Sequence, residues 1–159
     1  MDEELSLYTS CVPCNSKCCK DVGGIGSPIL TKEERDKYEK VKEGSTKEVV
    51  SPIGEKYYLL KTRSGTNHCI FLSDDGKCEI QEIKPMDCAC YPIKAVYDKE
   101  TILFIVDSNC PASESLSEEF ILGAKKVALA SIKRFDKETF QHWLDNYIGW
   151  VASTGQEIK

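Results

Sequence analysis

The sequence predicts an α+β domain, with short β-hairpins in its first two thirds and a helical hairpin at the C-terminal end. Three observations predict it. Short segments carrying Val, Ile, Tyr and Leu come in pairs separated by turn residues, apolar residues recur at spacings of three and four from Phe120 onward, and all nine cysteines precede that helical pattern. The 159 residues give room for one domain, 1–159, in which 11–111 carries the cysteines and 115–152 the helices. A hydrophobic share of 41% against 30% charged residues excludes disorder as the main state. A net charge of −5 offers no general basis for holding a phosphate backbone, so nucleic acid is not an expected partner. The longest aliphatic and aromatic run, Ile102 to Val106, falls far short of the ~18 apolar residues of a membrane span. The acidic start, Met1-Asp2-Glu3-Glu4-Leu5, lacks the positive and apolar stretches of a secretory signal, and a cytoplasmic location is expected.

Taken in order, Asp21 to Pro28 holds Gly23, Gly24 and Gly26 and predicts a flexible connection. It is not a dinucleotide loop, because the third glycine and a preceding strand are missing. Thr31-Lys32-Glu33-Glu34 is a capping box that predicts a charged helix over about 32–43, with Gly44 as its stop. Residues 47–53 and 56–63 predict two strands around Pro52-Ile53-Gly54. The Asp75-Gly76 step predicts a hairpin that brings Cys69 and Cys78 toward each other. A helical turn is expected over 79–84, stopped by Pro85, with Cys88, Cys90 and Pro92 in the loop that follows. Ile93 to Tyr97 and Thr101 to Val106 predict a second hairpin. Ser115-Leu116-Ser117-Glu118 reads as a capping box for a helix through Phe120, Ala124, Ala128 and Ile132. Asp136 can cap another helix through Phe140, Trp143, Leu144 and Ile148, whose aromatic face predicts packing rather than a cofactor site.

The cysteines are Cys11, Cys14, Cys18, Cys19, Cys69, Cys78, Cys88, Cys90 and Cys110. An odd total without an export signal points to metal or redox chemistry rather than a disulfide framework. Cys11-Val12-Pro13-Cys14 has the C-x2-C spacing that lets two sulfurs reach one centre from a tight turn, and soft thiolates bind zinc and iron–sulfur clusters. Four thiols within nine residues are unusual for core filling, which draws side chains from several segments. Setting one cysteine aside from nine leaves eight, or two sets of the four thiolates that hold a zinc ion or a four-iron cluster. The fold class expected is therefore a small metal-stabilised cysteine-rich domain. In its first hundred or so residues, coordination rather than an apolar interior is expected to fix the chain. Cys110-Pro111 is similar to the final ligand of bacterial ferredoxins and tilts the expectation toward iron.

These strings resemble the YkgJ-type cysteine-cluster family of zinc- or iron-chelating domains, which includes bacterial flagellin lysine N-methylases. The resemblance runs through Cys11 to Cys19, Ile29-Leu30-Thr31-Lys32-Glu33-Glu34, Cys69-Ile70-Phe71-Leu72 and Gly76-Lys77-Cys78-Glu79-Ile80. It continues through Lys84-Pro85-Met86-Asp87-Cys88-Ala89-Cys90-Tyr91-Pro92 to Cys110-Pro111. It implies metal ligands at Cys11, Cys14, Cys18, Cys19, Cys69, Cys78, Cys88 and Cys110. The chain departs from the family pattern in three ways: three residues rather than two stand before the paired cysteines, Lys84 replaces Arg, and Ala89 replaces Arg with Cys90 nearby. Cys90 stands as an alternative to Cys88 or to one of the N-terminal thiols.

Among other candidates, His68 beside Cys69 is either a ligand or, more commonly, a hairpin histidine, and His142 reads as a partly solvated helix residue. Lys17, Lys20, Lys77, Lys84 and Lys94 either offset thiolate charge or are surface lysines. No His-Glu-x-x-His occurs, so a zinc hydrolase is not expected. The radical-type C-x3-C-x2-C signature is absent too, since Asp21 stands where its third cysteine belongs. The favoured function is metal binding by one or two four-cysteine centres, iron–sulfur (4Fe–4S) ahead of zinc, with an electron-transfer or accessory role toward a protein partner. The alternatives are a structural zinc protein, a protein-lysine N-methyltransferase by family resemblance alone, and thiol–disulfide exchange at Cys11 and Cys14.

Overall fold

The computed structural model describes residues 26–108, 110, 113–148 and 150–158, so Cys11, Cys14, Cys18 and Cys19 lie outside the described residues. The described elements run β1 (Ile29–Leu30), α1 (Lys32–Val41), β2 (Thr46–Val50), β3 (Lys56–Leu60), a 3-10 turn (Gln81–Ile83), α2 (Met86–Cys90), β4 (Ile93–Asp98) and β5 (Thr101–Asp107). They continue with α3 (Glu118–Ile132), α4 (Lys137–Tyr147), α5 (Trp150–Ser153) and β6 (Gly155–Glu157). The strands form two antiparallel sheets of three, ordered β1-β3-β2 and β4-β5-β6. The architecture is α+β, as the sequence predicts.

Strand β3 separates two apolar clusters, because successive side chains of a strand leave opposite faces. Tyr57 and Leu59 point into the larger cluster with Ile93, Ala95, Ala124, Ile132, Phe140 and Trp143, while Tyr58 and Leu60 join Tyr38, Phe71 and Ile80 in a smaller one. Strand β1 divides the same way: Ile29 enters the larger cluster and Leu30 the smaller. A strand buried on both faces needs apolar residues at consecutive positions, which Tyr57-Tyr58-Leu59-Leu60 provides. An apolar interior therefore runs through the first hundred residues as well, contrary to the expectation that coordination alone fixes them.

Several local expectations hold. Thr31 Oγ1 accepts the Glu34 N–H at 3.2 Å and Glu34 Oε1 accepts the Thr31 N–H at 2.8 Å, closing the capping box. Strands β2, β3, β4 and β5 and the turn at 81–83 fall where the residue patterns put them. Others are corrected. The second capping residue is Ser117, not Ser115: its hydroxyl accepts the Phe120 N–H at 3.0 Å. Asp136 stands at the N-cap of α4, but its side chain makes no capping hydrogen bond. Cys88 and Cys90 sit on helix α2 rather than in a loop. The end of the expected flexible connection, 26–28, is packed: Ser27 is buried, its hydroxyl donates to Leu60 O at 3.1 Å and accepts the Leu60 N–H at 2.9 Å, and its carbonyl accepts from Trp143 Nε1 at 2.8 Å. Gly26 has φ +126°, and a Cβ there would lie 2.3 Å from Ile148 Cδ1, so only glycine fits against the end of α4.

Candidate metal centre

The segment between β3 and α2 carries the site. It is held by turns instead of strands: the expected hairpin over 69–78 reduces to the isolated pairs Thr62 with Cys69 and Leu72 with Cys78. The Asp-Gly turn forms, with Ser73 N–H donating to Lys77 O at 2.8 Å and Gly76 at φ +82°. Phe71 and Leu72 are buried between the two cysteines, and Phe71 anchors the segment in the smaller cluster, against which the half-buried Cys69 and Cys78 pack. The two thiols are close enough for the charge of Cys78 to oppose ionisation of Cys69.

Burial pushes the Cys69 thiol up to about 11, against the pull of the Phe71 N–H, Lys42 and Arg63, which favour the thiolate. Lys42 is fixed beside the turn, its ammonium donating to Ile70 O at 2.8 Å and to Glu79 Oε1 at 3.2 Å. Arg63 reaches over the same turn, pairing with Asp74 at 2.9 Å and donating to Leu72 O. The cations beside the Cys69–Cys78 turn are thus Lys42 and Arg63, which the sequence reading did not single out. Lys77 is exposed, 3.9 Å from Asp75. Lys94 is neither a surface lysine nor beside Cys69: it is buried, with its ammonium 3.5 Å from Asp87 and 4.3 Å from the centre of the Trp143 ring.

Tyr38 connects the turn to α2. Its hydroxyl donates to Ile83 O at 2.6 Å, and burial holds its ionisation well above the ordinary tyrosine range, helped by the charges of Cys88, Glu34 and Cys78. Cys78 and Cys88 are therefore both near enough to the Tyr38 hydroxyl for their charges to act on it, and Cys69 and Cys78 both pack against the Tyr38 cluster. Cys90 goes elsewhere. Successive helical residues are turned by about 100°, so Cys88 and Cys90 leave α2 on nearly opposite faces. Cys90 is 1% exposed in the larger cluster, and burial pushes its thiol up to about 12 despite the nearby Lys94. Cys110 follows β5, buried, with its N–H on Asp107 O at 3.1 Å.

No disulfide joins two of the five described cysteines. Among the described residues no three His, Cys, Asp or Glu side chains are arranged to hold a metal ion. The donor chemistry of the turn and α2 nonetheless fits a soft metal: three thiols from two segments, an N–H aimed at one of them, and two cations close by. His68 is half-buried and its backbone N–H donates to Thr66 Oγ1 at 3.1 Å. His142 behaves as a packed helix residue, its Nδ1 hydrogen-bonded to the Tyr57 hydroxyl at 2.8 Å. Trp143 and Trp150 are buried in the larger cluster, as packing side chains. No helix among the described residues is long and apolar enough to cross a membrane.

Among known proteins, no curated sequence and no solved structure matches the chain. A family model does: residues 10–111 match CxxCxxCC, described as "Putative zinc- or iron-chelating domain". That span includes all nine cysteines, the Cys69–Cys78 turn and α2. With most of its length matched by one model, the chain belongs to the CxxCxxCC family of zinc- or iron-chelating domains.

Proposed function

We propose that this protein holds one or two four-cysteine iron–sulfur centres (4Fe–4S) and serves a protein partner by electron transfer or as a cluster-dependent accessory. The ligands are Cys11, Cys14, Cys18, Cys19, Cys69, Cys78, Cys88 and Cys110, with Cys90 left as a core thiol. The observation that carries this reading is the Cys69–Cys78 pair packed against the Tyr38 cluster, within a nine-cysteine span that matches a chelating family. Four thiolates suit zinc and a four-iron cluster alike, and iron is favoured because Cys110-Pro111 resembles a ferredoxin ligand step. A bound cluster would supply one-electron chemistry. The protein's own residues exclude water from part of the site, through Phe71 and Leu72, and place positive charge beside the thiolates, through Lys42 and Arg63. A cytoplasmic setting, which keeps thiols reduced, suits such a centre.

Anaerobic purification followed by iron, zinc and acid-labile sulfide analysis tests the proposal. Iron with matching sulfide, and broad visible absorption that bleaches on reduction, is the expected result. A colourless protein with stoichiometric zinc overturns the iron assignment in favour of a structural zinc role. Absence of both metals overturns the metal-binding reading itself.

A further inference from the structure

Next to Cys88 on α2, a chain of polar contacts that starts at Asp87 grips one peptide of β1. Ile29 pairs with Leu59 on one edge of β1, and its N–H and C=O leave the other edge. Asp87 Oδ2 accepts that N–H at 2.9 Å, and Arg134 Nη2 donates to that carbonyl at 3.1 Å. Ser131 links the two grips: its hydroxyl donates to Asp87 Oδ1 at 3.1 Å and accepts from Arg134 Nη2 at 3.0 Å. Lys94 completes the set at 3.5 Å from Asp87 Oδ1, with side chains only 6% and 9% exposed in that pair. Arg134 also contacts Glu34, the capping-box residue of α1.

Withdrawing four charged side chains this far from water, none more than 19% exposed, is an inefficient way to stabilise a fold, since desolvation offsets most of the attraction. Fixing a geometry is a use that does repay it. Strand β1 is two residues long, too short to hold its own register, and Asp87 directly precedes Cys88. We infer that Asp87, Ser131 and Arg134 are positioning residues of the thiol site, locking β1 against the helix that carries Cys88. This inference rests on the metal-binding reading above. Sequence alone hides it, because Asp87 on α2 lies far along the chain from Ser131 at the end of α3 and Arg134 in the turn that follows.

Two substitutions in the full chain test it. Arg134→Lys keeps the charge beside Glu34 but removes the fork that reaches Ile29 and Ser131 together. Ser131→Ala cuts the link at little change in volume and serves should Arg134→Lys fail to fold. Cys90, buried on α2, is a built-in reporter of whether the helix is seated. In metal-free protein, Cys90 is expected to be alkylated about tenfold faster in the variants than in wild type, while the Trp143 emission remains native, the signature of local opening. Metal-loaded variants are expected to lose iron or zinc to a chelator about tenfold faster than wild type. Unchanged Cys90 protection overturns the clamp. Faster Cys90 alkylation with wild-type metal retention overturns its positioning role. A wild-type chain that carries no iron or zinc overturns the metal-binding reading and the positioning role together, and Cys90 then reports only on the packing of α2.

Discussion

The two sides of β3 are built on different principles. On one side α3, α4 and the β4–β5 hairpin bury Ile93, Ala124, Ile132, Phe140 and Trp143 in a large cluster of regular elements. On the other, the chain from Lys61 to Pro85 has only isolated bridges, turns and a 3-10 turn, over a cluster of six fully buried residues. Apolar burial accounts for the first side. The second has the half-buried thiols of Cys69 and Cys78 packed against its small cluster, and on the proposed function a bound metal would add to its order. The contrast also separates the cysteines by place: Cys90 lies in the large cluster, whereas Cys69 and Cys78 pack against the small one.

The largest effect is expected from breaking the apolar side. Trp143→Ala removes a fully buried indole and its hydrogen bond to Ser27, at a cost of about 3–5 kcal/mol in global stability by urea unfolding. Because β3 is shared, the loss unfolds both sides together; a smaller loss confined to 61–85 would contradict the shared strand. Gly26→Ala comes next. It places a Cβ 2.3 Å from Ile148 Cδ1 and 2.5 Å from Tyr147 O at φ +126°, for an expected loss of about 1–3 kcal/mol by the same assay. A neutral result would mean that the entry strand does not lean on α4.

A weaker probe is pH. Burial raises Cys69 to about 11 and Cys90 to about 12 from an ordinary value of 9.0, so the folded metal-free state holds these protons more tightly than the unfolded one. Their contribution is complete below pH 9.0 and is lost as pH climbs through 11 and 12. Urea midpoints are expected to fall above pH 9.0, and Cys90→Ala to flatten that fall; the same slope in Cys90→Ala would assign the effect to other groups.

Much of this division was legible in the residues. Thr31 with Glu34 announces α1, the three-and-four spacing from Phe120 announces α3, and the Asp75-Gly76 step announces the turn between Cys69 and Cys78. What was not legible depends on distant partners. Two-residue β1 and three-residue β6 carry no periodicity of their own and exist because β3 and β5 offer them an edge. Reading α2 as a loop hid the opposition of Cys88 and Cys90, which only helical geometry creates. Lys94 looks like a surface lysine until Asp87 and the Trp143 ring surround it. Of the ligand set implied by the family resemblance, Cys69 and Cys78 pack against one cluster and Cys88 lies on α2, while its four N-terminal members lie outside the described residues.

The most direct test is a paired substitution on α2, with metal per chain measured after anaerobic purification. Cys88→Ser is expected to lose a large part of the bound iron or zinc, and Cys90→Ala to retain it at the wild-type level. Equal retention in both, or loss confined to Cys90→Ala, would contradict the assignment of Cys88 to the thiol site and Cys90 to the core.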